Sequence, residues 1–134
     1  MKYLLDTDVC IHMLRHHEQV VSWAEAQSPA ELSVSAITSY ELRYGVMRCA
    51  AARRKRETKK VEMLLEMLGD LPFTRQTSVF AADIRSELER AGKPIGAMDI
   101  LIAATALERG LKLVTGNVRE FSRVDGLKVS SWKE

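Results

Sequence analysis

Four stretches of this chain run from apolar residues into an acid or a group of polar oxygens. LLDTDVC carries Asp6 and Asp8, two residues apart, after the leucines that end at Leu5. SAITSYELRYG carries Ser35, Thr38 and Glu41. MDILIAATAL opens on Asp99, the one charge in an otherwise apolar stretch. LVTGNVREF places Thr115, Gly116 and Asn117 after a short apolar run, with Glu120 one helical turn further on. Carboxylate oxygens gathered without His or Cys suit a hard cation, Mg²⁺ or Mn²⁺, better than zinc. Such an ion relieves the repulsion between converging carboxylates, and Asp99 needs a partner in its apolar setting.

Each of these residues also has a structural reading. Asp8 precedes Val9 and suits the N-cap of a first helix, with Thr7 beside it. Asp6 suits the same helix end through the dipole. Glu41 completes T-S-Y-E, a capping-box pattern begun at Thr38. Asp99 sits in a first turn, where an acid is favourable. Asn117 suits a turn, Glu120 a surface, and Asp83 the polar face of a helix. Two features weigh against four separate structural roles. Asp99 begins a buried helix, and no Lys or Arg stands beside Asp6.

For the acids to meet, the elements that carry them must end at one edge. Residues 2–5 read as a short buried strand, and 9–16 as a helix with Ile11 and Leu14 at helical spacing. Val20, Val21 and Trp23 suggest a second short helix, broken by Ser28-Pro29. Residues 31–34 read as a strand ending at Ser35, followed by a helix through Tyr40, Leu42 and Met47. In 55–68, Val61, Leu64, Leu65 and Leu68 form an apolar stripe, with Gly69 as a stop. Leu71-Pro72-Phe73 reads as a strand near an edge because of the proline. Phe80, Ile84, Leu88 and Ala91 form the next stripe, closed by Gly92 and Pro94. MDILIAATAL is apolar nearly all round and reads as a buried helix. Residues 112–115 and 128–130 read as the last strands. Alternating strands and helices predict an α/β fold with a mainly parallel sheet and helices on both faces. In such sheets sites form beyond the carboxyl ends of the strands, which is where these acids fall.

Length and composition bound the rest. At 134 residues the chain suffices for one core, so residues 1–134 are expected to form a single domain. Hydrophobic content of 46% and charged content of 28% are those of a soluble globular protein. No apolar stretch is long enough to span a bilayer, and Asp6 and Asp8 interrupt any signal-like run. Cys10 and Cys49 read as free thiols of a cytoplasmic protein. The net charge of +2 is unevenly spread. Arg48, Arg53, Arg54, Lys55, Arg56, Lys59 and Lys60 crowd one stretch, which is either a solvated helix face or a surface for phosphates.

Taken in order, LLDTDVCIHML, SAITSYELRYG, GKPIGAMDILIAATAL and LVTGNVREFSRVDGLKVSSW cover nearly the whole chain. Together they resemble the PIN-domain ribonucleases, specifically the VapC-type toxins of bacterial type II toxin–antitoxin pairs. The resemblance implies a three-layer α/β/α sandwich and a Mg²⁺-dependent endoribonuclease. It implies that Asp6 and Asp99 bind metal, that Glu41 is the third acid, and that Thr115 and Asn117 line the centre. It implies a homodimer, a VapB-type antitoxin partner, and contact with operator DNA only through that antitoxin. It further implies cleavage of transfer RNA, initiator tRNA at its anticodon stem-loop, with Arg53, Arg54, Lys55, Arg56, Lys59 and Lys60 holding the RNA backbone. The chain departs from the family at position 8, usually asparagine. It departs again after Thr115, where many PIN domains place a fourth acid and this chain has Asn117 and then Glu120.

Other families share fragments of the pattern. LLDTDV fits the D-x-D-x-[TV] of haloacid-dehalogenase-type phosphatases, with Asp6 as nucleophile and Asp8 as acid/base. That family next requires a Lys and a paired-acid strand, and the chain ends soon after LVTGN. A receiver-type signalling domain needs an acid at the carboxyl end of its third strand, whereas Asp70 precedes Leu71-Pro72-Phe73. A binding protein that acts only by assembling with its antitoxin has no use for Asp6, Glu41 and Asp99 together.

Overall fold

The computed structural model describes residues 1–133. Its elements are β1 (Tyr3–Leu5), α1 (Thr7–Leu14), α2 (Glu18–Glu25), a 3-10 turn (Pro29–Glu31), β2 (Leu32–Ser35), α3 (Ala36–Met47), α4 (Ala51–Met67), β3 (Gly69–Leu71), α5 (Arg75–Arg90), α6 (Ala97–Arg109), β4 (Lys112–Val114), α7 (Val118–Phe121) and β5 (Val129–Ser130). The strands form one sheet in the order β3-β2-β1-β4-β5. Every pairing is parallel: Leu4 faces Ser33 and Leu113, Val34 faces Asp70, and Leu113 faces Val129.

The period-2 alternation of a strand builds both faces at once. Leu4 and Leu113 point into a core with Ile84, Leu88, Ile102 and Phe121, from α5, α6 and α7. Leu5 and Val114, their neighbours, point into a second core with Val9, Val20, Leu42 and Leu64, from α1 to α4. A sheet buried on both faces is the expected α/β/α sandwich. None of the described helices is long and apolar enough to cross a membrane.

Several local expectations shift. The first helix starts at Thr7, so Asp6 is its N-cap and Asp8 lies in its first turn. The cap expected at Asp8 is displaced because Asp6 already accepts from the Thr7 N–H, at 2.8 Å. The cap expected at Thr38 is likewise displaced: α3 is capped by Ser35, whose Oγ accepts from the Thr38 N–H at 3.1 Å, and Glu41 stands inside the helix. The third strand is Gly69–Leu71, two residues ahead of expectation; it is an edge strand, and Pro72 lies outside its ladder. Glu31 belongs to the 3-10 turn rather than to β2. Cys10 and Cys49 are both free.

Candidate metal centre

The strand order reverses direction at β1, flanked by β2 on one side and β4 on the other. In open parallel sheets this switch point opens a crevice at the carboxyl ends of the strands. Asp6 leaves β1 there and Thr115 leaves β4 beside it. The Asp6 N–H donates to the Val114 carbonyl at 2.9 Å, which continues the ladder one residue past the strand. Thr115 Oγ1 donates to Asp6 Oδ2 at 2.7 Å, and the Thr7 N–H holds Oδ1. Both oxygens of the buried Asp6 carboxylate are thereby fixed.

Glu41 is aimed by a chain of hydroxyls. Thr7 Oγ1 donates to Glu41 Oε1 at 2.6 Å and lies 3.0 Å from Thr38 Oγ1. This ties α3 to the first turn of α1, next to Asp6. Thr7 is thus an orienting residue and not a helix cap. Asp8 Oδ2 accepts from the Gly116 N–H at 2.9 Å, while its Oδ1 is buried and, among the described residues, has no partner. Asn117 donates its backbone N–H to Thr115 Oγ1 at 2.9 Å, and its side-chain amide donates to Glu120. Asp99 stands in the first turn of α6, whose N-cap is Gly96. A Cβ there would lie 3.3 Å from Asp99 Oδ2, so glycine leaves the carboxylate room.

Electrostatics show that these acids share one region. Asp6 is pushed from an ordinary 3.8 up to about 7, chiefly by burial and then by the charge of Asp8, with Asp99 adding to it; the hydrogen bonds from Thr115 and Thr7 pull the other way. Asp99 rises to about 6, again by burial first, then by Glu120, Glu41 and Asp8. Every charged neighbour that shifts the two is an acid. Among the described residues, no three His, Cys, Asp or Glu side chains close into a ready-made ion cage. Magnesium does not need one, because it keeps several waters and binds through one or two carboxylates. The residues fit a hard divalent cation: all donors are oxygens and, among the described residues, no cation shifts Asp6 or Asp99 and Asp8 Oδ1 has no partner.

Other groups fall elsewhere. Arg53, Arg54, Lys55, Arg56, Lys59 and Lys60 are exposed along α4. Arg53 and Lys60 each stand 3.7 Å from Glu57, and Arg54 Nε donates to the Cys49 carbonyl. A cavity of about 550 Å³ between Leu14, Val21, Leu64 and Met67 contains none of the converging acids. Two contributions escaped sequence reasoning: the role of Gly116, which the sequence places at the strand end without a function, and Trp132. A Cβ on Gly116 would meet Asp8 Oδ2 at 2.7 Å and the Trp132 ring at 3.0 Å. The apolar-run-then-Gly pattern of LVTGN was the only signal for the first, and the second had none.

A parallel sheet with oxygen donors at its switch point defines a class, and the comparisons agree. The PIN domain pattern matches residues 3–127, and the chain belongs to that family. Within it, the chain is 33% identical over 132 residues to the tRNA(fMet)-specific endonuclease VapC of Salmonella typhimurium, covering 98% of each chain. It is 34% identical to ribonuclease VapC2 of Haemophilus influenzae, again with 98% coverage of each. The DNA-bound VapBC structure from Salmonella typhimurium superimposes with a TM-score of 0.91 at 34% identity, covering 98% of each chain. The chain is thus an endoribonuclease of the VapC kind.

Proposed function

We propose that this chain is a Mg²⁺-dependent endoribonuclease toxin that cuts initiator tRNA at its anticodon stem-loop, and that translation stops until a VapB-type antitoxin binds it. The observation that carries the reading is the set of acids around Asp6 with no cation to balance them. Asp6 and Asp99 would hold Mg²⁺, or Mn²⁺ in its place. When bound, the ion supplies a more acidic water and neutralises charge on the phosphate.

The chain's own groups do the remaining work. Thr115 and the Thr7 N–H keep the Asp6 carboxylate in one orientation. Thr7 Oγ1 holds one Glu41 oxygen and leaves the other free to take a proton from the attacking water. Water attacks phosphorus and the bond to the 3′-oxygen breaks, which leaves a 5′-phosphate and a 3′-hydroxyl. Asn117 and Glu120, joined to each other, stand at the position of a fourth site group. Lys55, Arg56 and Lys59 on α4 meet backbone phosphates, which sets register but not sequence. Recognition of the RNA then rests on its shape and on unpaired loop bases.

The name of the Salmonella relative supports the tRNA assignment, and the toxin–antitoxin complexes among the solved neighbours support the partner. Operator DNA is reached only through the antitoxin. Exposed Tyr44 and Met47 on α3 offer an apolar face to a second copy of the chain. The site of action is the cytoplasm, where tRNA is. Sequencing the 5′ ends of cellular RNA after brief expression tests the substrate. The expected result is new 5′-phosphate ends confined to the anticodon stem-loop of initiator tRNA; ends spread over messenger RNA contradict it.

A further inference from the structure

Trp132 lies two residues past β5 and reaches back over the turn that follows β4. Its Cη2 and Cζ3 stand 3.0 and 3.3 Å from where a Gly116 Cβ would be, so the indole lies directly on that backbone. The same ring meets His12 of α1 edge-on at 5.3 Å, and His17, the N-cap of α2, at 6.2 Å. It therefore joins the α1–α2 corner to the turn at residues 115–117. Among the described residues the indole N–H is buried without an acceptor. Within them the residue contributes its shape at this position, and no hydrogen bond.

The turn under the ring is the one that serves the acids. The Gly116 N–H donates to Asp8, Thr115 Oγ1 donates to Asp6, and the Asn117 N–H fixes the Thr115 hydroxyl. We propose that Trp132 is a positioning residue, a clamp from the end of the chain that presses this turn onto the first turn of α1 and so sets the orientation of Asp8 and Asp6. The effect on metal binding rests on the reading of Asp6 as a ligand; the effect on the Gly116 N–H does not. The ring acts through packing alone, so phenylalanine serves nearly as well and alanine does not. Groups one contact removed from a metal ligand typically change affinity or activity 10- to 100-fold; Trp132 acts one contact further out, through residues 115 and 116, so the low end of that range applies.

The test uses the full chain with Trp132→Ala, Trp132→Phe and Asp6→Asn. In metal-free protein, Gly116 amide exchange is read by NMR; the amide should exchange faster in Trp132→Ala while those of β1 and β4 stay protected. Affinity for Mn²⁺ should fall about tenfold in Trp132→Ala and stay near the parent value in Trp132→Phe. Cleavage should lose kcat with little change in KM for RNA. If Trp132→Ala does not fold, Trp132→Leu is read against the same expectations. Unchanged Gly116 exchange in the alanine or leucine variant overturns the clamp, and so does a phenylalanine variant as impaired as alanine. Parent-like Mn²⁺ affinity in Asp6→Asn overturns the metal reading instead.

Discussion

Asp6 is held for charge in a place that resists charge. Two donors fix its oxygens, yet burial and the neighbouring acids raise it to about 7 from an ordinary 3.8. Folded chains therefore keep a proton on Asp6 between those values, where unfolded chains have released it. The stability from this group is complete below pH 4, declines as the pH climbs towards 7, and is lost above that. Urea unfolding in EDTA from pH 4 to 8 should show the decline in the parent and a shallower one in Asp6→Asn. Equal slopes in the two would contradict it. At this scale the sequence singled out Asp6 and Asp99, because an acid at the end of an apolar run is costly without a use, and the structure brings the two close enough for Asp99 to shift Asp6. The sequence misled on Asp8. In D-T-D either aspartate suits an N-cap; Asp6 takes the Thr7 N–H, and Asp8 the distant Gly116 N–H. Trp132 was illegible, since its partners lie 16 residues back in the chain and in another element.

The α3–α4 pair is the element-level counterpart. It connects the carboxyl end of β2 to the amino end of β3. Seventeen residues of helix span about 26 Å, whereas the four residues of β2 span about 13 Å. The buried residues of α4, Val61, Leu64 and Leu65, lie in its second half. The basic first half is exposed. Spacing revealed the apolar stripe, but not what the cations face. With cleavage suppressed by EDTA, binding to single-stranded RNA should weaken with salt. Each phosphate contact contributes about 0.7 to the slope of log affinity against log salt. Replacing Lys55, Arg56 and Lys59 together with alanine should lower that slope by about 2. A slope unchanged in the triple variant would assign these residues to a solvated face instead.

At the scale of the whole molecule, alternation of strand and helix was enough to predict a parallel sheet with both faces covered. Leu4 and Leu5, adjacent in sequence and in opposite cores, show how the pleat does this. Boundaries were less legible because the strands are only two to four residues long and leave little periodicity to read. The strand order was not legible at all, yet it makes the site. Placing β4 beside β1 sets Thr115 against Asp6 across 109 residues. Glu41 and Asp99 come to the same edge from α3 and α6. These acids are proposed to hold a divalent cation that cleavage requires. The direct measurement is tRNA cleavage by the purified parent and Asp6→Asn chains, with Mg²⁺, after EDTA, and after Mg²⁺ is restored. Cleavage by the parent should stop in EDTA and return with Mg²⁺, and an Asp6→Asn chain should be slower by about a hundredfold or more. Parent activity that persists in EDTA, or full cleavage by a folded Asp6→Asn chain, would contradict it.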